Sequence, residues 1–136
     1  PDRRLLPPVG TADHAETLRT MIFLTNTVQE TLLHALYAPR YVDDSEAAPA
    51  VRRAAEARLA TLFGRLDDRL RSHAHLVGDT TTIADLYLFM LTRWGRRLES
   101  PAWSLPGLRA HWLRVAERPA VARVLADQGL DERPPS

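Results

Sequence analysis

The stretch Thr82-Ile83-Ala84-Asp85, followed by Leu86-Tyr87-Leu88-Phe89-Met90-Leu91, constrains the fold more than any other part of the sequence. Thr82 and Asp85 have the spacing of a capping box, in which the residue before a helix and the third residue inside it satisfy each other's backbone N–H groups, so a helix starts there. The residues that follow are apolar on nearly every side. Such a helix is stable in water only when neighbours cover several of its faces, which makes it the central member of a bundle.

The neighbours are visible on both sides. From Asp13 to Ala38 the residues Leu18, Met21, Ile22, Val28, Leu32, Leu33 and Leu36 recur at three- and four-residue steps with no Pro or Gly between them, which predicts one long amphipathic helix with these side chains inward. A loop through Tyr41 to Ser45 leads to Pro49, placed for the first turn of a second helix reaching Ser72, with Leu59, Leu62, Phe63, Leu66 and Leu70 as its buried stripe. Within it, Asp67-Asp68 reads as a solvated face. Gly78 to Thr81 forms the turn before the central helix, which ends near Gly95, Arg96 and Arg97. Pro101 and Pro106 bracket an irregular connector. Gly107 to Arg118 carries Leu108, Trp112, Leu113 and Val115 in helical spacing, and Ala120 to Asp127 forms a short last helix with Pro119 in its first turn and Gly129 as cap. Five helices and no strand pattern predict an all-α bundle with antiparallel neighbours over 13–130. Pro1 to residue 12, with Pro7-Pro8, reads as an extended linker entering from an upstream domain, and 131–136 as a frayed tail.

Composition narrows the chemistry. The 136 residues suit one core, and the 18 basic against 17 acidic residues leave a net charge of +1, which gives no electrostatic footprint for nucleic acid or anionic lipid. Every basic residue among the 18 is arginine, so lysine Schiff-base chemistry is excluded within the chain. The count of zero cysteines removes disulfides, thiolate metal sites and cysteine nucleophiles. His73-x-His75 lacks a third ligand, and residues two apart on a helix point in different directions, so no metal site is expected. No apolar run approaches the roughly 20 residues needed to span a bilayer, which favours a cytoplasmic protein.

The run Leu76-Val77-Gly78-Asp79-Thr80-Thr81-Thr82-Ile83-Ala84-Asp85-Leu86-Tyr87-Leu88-Phe89 resembles the signature of the glutathione transferase C-terminal domain. Pro1-Asp2-Arg3, Leu5-Leu6, Leu91-Thr92-Arg93-Trp94, Ala116-Glu117-Arg118-Pro119-Ala120-Val121 and Gly129-Leu130 extend the likeness across nearly the whole chain, and it is greatest to the bacterial beta class. One departure is Thr81, where the family usually has an apolar residue for a hydrophobic staple, so the capping box should survive with a weaker staple.

The resemblance implies a two-domain homodimer. An upstream thioredoxin-like domain binds and activates glutathione as co-substrate, with no other cofactor, while this domain offers the pocket for a small hydrophobic electrophile. It implies no catalytic residue here, and the chain alone is expected to be inactive. In the beta class the first helix faces the cleft with polar residues, including a histidine near the thiol, and matched to that stretch are Asn26, Thr27, Val28 and Gln29 as candidate glutathione- or substrate-binding residues. Gln29 falls at the histidine. It can donate a hydrogen bond to a thiolate but cannot act as a base near neutral pH. Asn26 and Gln29 fit equally well as solvated residues on the helix's outer face. Trp94 is the candidate for stacking on an aromatic electrophile, with core packing as the alternative, and Tyr37 and Tyr41 are candidates for the same pocket, with a structural or interface role as theirs. His34 reads as a surface or packing residue. Arg93, Arg96 and Arg97 suit an anionic ligand, although the helix dipole already accounts for positive charge at a C-terminus. The competing reading is a non-catalytic ligand-binding or protein-interaction module.

Overall fold

The computed structural model describes residues 5–130 and 133–134; the Pro1-Asp2-Arg3 likeness and most of the frayed-tail expectation lie outside the described residues. Among the described residues the regular structure is entirely helical. α1 (Ala12–Phe23) begins at Thr11, an extended residue whose side chain accepts the N–H of His14, and a π-helical segment (Leu24–Gln29) and α2 (Glu30–Leu36) continue it. The residues at both junctions, Leu24 and Glu30, keep right-handed helical dihedrals, so the three segments form one rod. α3 (Ala48–Ser72), α4 (Ile83–Trp94), α5 (Pro106–Ala116) and α6 (Pro119–Asp127) complete the five-member bundle. Prolines sit in the first turns of α3, α5 and α6, where the missing N–H is no loss, and Gly129 takes φ +61° just past α6.

α4 is the central helix: none of its residues is fully exposed, and Ala84, Leu88 and Leu91 have no accessible surface at all. α1, the π segment and α5 pack around it, while α3 packs on α2 and α5. The capping box forms, with the Asp85 carboxylate accepting the N–H of Thr82 at 2.8 Å. Thr81, in place of an apolar staple residue, accepts a hydrogen bond from Arg118 at 3.0 Å. The linker runs beside this N-terminus, and the Leu5 carbonyl accepts the N–H of Ile83 at 2.8 Å.

Three expectations need correction. The first helix is not α-helical throughout, because it widens to the π form over Leu24–Gln29. Threonine hydroxyls compete for the carbonyls at its two ends, Thr25 with Met21 O at 2.9 Å and Thr31 with Thr27 O at 2.7 Å, and such back-bonding loosens the regular ladder. Next, Leu18 and Ile22 face outward, at 43% and 61% exposure. Their places in the core are taken by Thr17 and Thr20, and Thr17 is tolerated there because its hydroxyl donates to Asp13 O at 2.7 Å. Finally, Asp67 is not on a solvated face. It is buried, and its carboxylate accepts the N–H of Leu108 at 3.0 Å, serving an orphan donor at the start of α5.

Candidate functional site

The π segment places its polar residues on two sides of the rod. Gln29 turns toward α4, where the Tyr87 hydroxyl donates a hydrogen bond to its Oε1. Asn26 and Thr27 turn toward α3 and line a cavity of about 280 Å³ with Glu30, His34 and Arg58. Asn26 is exposed and its Oδ1 accepts from the Thr25 hydroxyl at 3.0 Å. Val28 is a correction: with no accessible surface, it belongs to the hydrophobic core and presents nothing to a ligand. The four consecutive candidates therefore do not share one wall. The sequence reading missed Tyr87, which stands inside the family-like run but 58 residues from its partner.

Trp94 is half-buried at the end of α4, packed against the core on one side. On the other it borders a cavity of about 220 Å³ with Leu33, Leu36, Tyr37, Arg93, Arg96 and Arg97. The apolar wall comes from α2 and the charged rim from the end of α4, where Arg96 also donates to the Arg93 carbonyl at 2.9 Å, as a cation at a helix C-terminus should. Tyr37 lines this cavity, with the Arg40 guanidinium 4.5 Å from its ring centre. Tyr41 does not; its ring lies against His34 with centroids 3.9 Å apart. His34 is held at the surface, one ring nitrogen 2.8 Å from the Glu30 carbonyl.

A second polar cluster lies in the core beneath the α4 N-terminus. Asp85 has no accessible surface and is served by four donors: Leu76 N–H at 3.0 Å, Thr82 N–H, the Thr82 hydroxyl at 3.1 Å and His111 Nε2 at 3.1 Å. Burial pushes the Asp85 pKa up, but the bonds from His111, Thr82 and Leu76 outweigh it, and the net result lies below the ordinary value of 3.8. His75 Nδ1 stands 4.0 Å from the same carboxylate. Burial pushes the His75 pKa below 6.5, and Arg114, His111 and Arg118 add to that against the pull of Asp85. His111 went unnoticed in the sequence, although its place beside Leu108 and Trp112 on the α5 stripe marks an inward residue. Among the described residues no group of three His, Cys, Asp or Glu side chains is placed to hold a metal ion. The Asp85 carboxylate lies sealed in the core, whereas Gln29 and Trp94 are half-buried and keep part of their surface exposed.

The sequence matches the family profile described as "Glutathione S-transferase, C-terminal domain" over residues 29–119. It is 31% identical over 132 residues to the glutathione S-transferase GstA of Escherichia coli O157:H7, an alignment covering 96% of this chain and 61% of that protein. It is 29% identical over 123 residues to the glutathione S-transferase GST-4.5 of Xanthomonas campestris, covering 90% and 60% respectively. Among solved structures, the bacterial beta-class glutathione S-transferase of Sphingomonas chungbukensis superposes with a TM-score of 0.78 at 27% identity, over 93% of this chain and 59% of that one. A sphingomonad glutathione S-transferase complexed with glutathione gives 0.79 at 27% identity, over the same shares of 93% and 59%. The chain thus spans about three fifths of the length of the curated relatives it matches. With the all-helical bundle and the capped central helix already in place, this chain belongs to the glutathione S-transferase family, of which it carries the C-terminal domain.

Proposed function

We propose that the chain is the electrophile-binding and dimerisation part of a glutathione transferase, working with an upstream thioredoxin-like domain joined through the linker. The complete protein conjugates glutathione to small hydrophobic electrophiles. What supports this reading, beside the family and a relative solved with glutathione, is the cavity at Trp94, which is lined by Leu33 and Leu36 on the α2 side and by the rings of Trp94 and Tyr37. The Trp94 ring gives a flat face for an aromatic substrate, and Gln29 gives a donor for glutathione. The outward Leu18 and Ile22 leave an apolar strip on the rod that suits a face covered in the assembled homodimer. No helix among the described residues is long and apolar enough to cross a membrane.

The test uses the complete protein. Calorimetry should detect glutathione binding, and an aromatic electrophile should be turned over, whereas this chain alone should show neither. Trp94→Ala should raise the KM for the aromatic electrophile about tenfold, the order expected from losing one aromatic contact, and leave the glutathione Kd unchanged. Equal losses for both ligands would show that Trp94 only supports the fold. A second reading, a non-catalytic ligand-binding or interaction module, is favoured by Gln29 at the position of a potential base. Absence of both binding and turnover would establish that alternative.

A further inference from the structure

The bond between Gln29 and Tyr87 is unlike the other side-chain contacts of the rod. Most of those are local, tying a threonine or histidine to a carbonyl three or four residues back, whereas this one joins the last residue of the π segment to the central helix. Short π segments inside α-helices recur at functional sites, because the extra residue per turn re-aims side chains that a regular ladder would direct elsewhere. Here the re-aimed residue is then held. The carboxamide of Gln29 is planar, with one acceptor oxygen and one nitrogen carrying two donors. With its oxygen on the Tyr87 hydroxyl, the position of the nitrogen is set. Both side chains are half-buried, so the pair is partly shielded from competing water yet remains open on one side.

We infer that Tyr87 is a positioning residue: by holding Gln29 Oε1 it presents the Gln29 NH₂ as an oriented donor to an acceptor group of the bound ligand, which on the reading proposed above is the glutathione sulfur. An amide tethered in this way loses little rotamer freedom on binding, whereas an untethered glutamine loses more and also competes with itself, since its oxygen would repel the same acceptor if the amide turned over. The donor also differs in kind from an imidazole. It does not titrate, so its hydrogen bond persists at every pH where the protein is folded, and it takes no proton from the thiol.

A double-mutant cycle in the complete protein tests this, with glutathione affinity measured by calorimetry and bound thiolate by its ultraviolet absorbance. Gln29→Ala should weaken glutathione binding about tenfold, as loss of one hydrogen bond to a charged group does, and Tyr87→Phe should weaken it about fivefold while retaining the ring and its packing. The double variant should bind no worse than Gln29→Ala, because Tyr87 acts only through Gln29. An undiminished effect of Tyr87→Phe in the Gln29→Ala background would overturn the inference. So would a Tyr87→Phe variant that melts earlier but binds glutathione as the parent does. Failure of the parent itself to bind glutathione would instead remove the transferase reading, and this inference with it.

Discussion

Replacing Asp85 by Ala should destabilise the domain by about 3–5 kcal/mol, because it strips the shared acceptor from several buried donors, each of which costs about 1–3 kcal/mol when left unpaired. The carboxylate has no accessible surface and gathers the N–H groups of Leu76 and Thr82, the Thr82 hydroxyl and His111. Alanine leaves all four without a partner in a space that water reaches poorly. The damage would not stay local, because those donors come from the loop before α4, the start of α4 and the middle of α5. Asp85→Asn should lose less, since the amide oxygen still accepts. Urea unfolding checks this: the midpoint should fall sharply with an unchanged slope, and a shift of under 1 kcal/mol would show that the network contributes little.

The same cluster makes stability depend on pH, with both resolved shifts acting in one direction. Asp85 is held below its ordinary 3.8, so near that pH the unfolded chain binds the proton first; the stability it contributes is present above 3.8 and is lost as pH falls through the native value. His75 is also lowered, from 6.5, so acidification through that value again favours the unfolded chain. The urea midpoint should therefore decline in two stages, one beginning below about pH 6.5 and a second below about pH 3.8. His75→Gln should flatten the first stage and leave the second. A midpoint that rose on acidification would contradict both assignments.

What the sequence made legible was whatever is encoded within a few residues. The Thr82–Asp85 box, the first-turn prolines Pro49 and Pro119, and the three-and-four periodicity of α3 and α5 each declare themselves locally, and the structure has them where they were expected, whereas Pro106, read as part of the connector, opens α5. What stayed hidden depends on partners brought together only by folding. Asp67 looks like a surface charge until the N–H of Leu108, 41 residues on, is placed beside it, and His111 looks neutral to function until it reaches Asp85, 26 residues away. The outward turn of Leu18 and Ile22 was concealed by Thr17 and Thr20, whose hydroxyls read as polar although the backbone of their own helix can satisfy them. At the candidate site the family resemblance singled out Gln29, but no local pattern pointed to Tyr87 as its partner or to the π segment that re-aims it.

The approach of α3 and α5 rests on a residue that has no side chain. A Cβ built on Gly107 would stand 2.6 Å from the carbonyl oxygen of Asp67, 2.9 Å from its carboxylate and 3.1 Å from Cγ of Arg71. The nearest of these is backbone inside a 25-residue helix, which cannot move aside as the tip of a flexible side chain would. Relief must come from sliding α5 outward, and that lengthens the bond from Leu108 N–H to Asp67 and opens the packing around Leu108 and Trp112, both without accessible surface. Gly107→Ala should thus destabilise by about 3 kcal/mol, the upper part of the range for overpacking, even though alanine is the better helix former. Gly64→Ala is the control, since it lies inside α3 with nothing within 4 Å of its added methyl and should stabilise by up to about 1 kcal/mol. If the two substitutions moved the melting temperature in the same direction, close contact between the helices would not be what Gly107 provides.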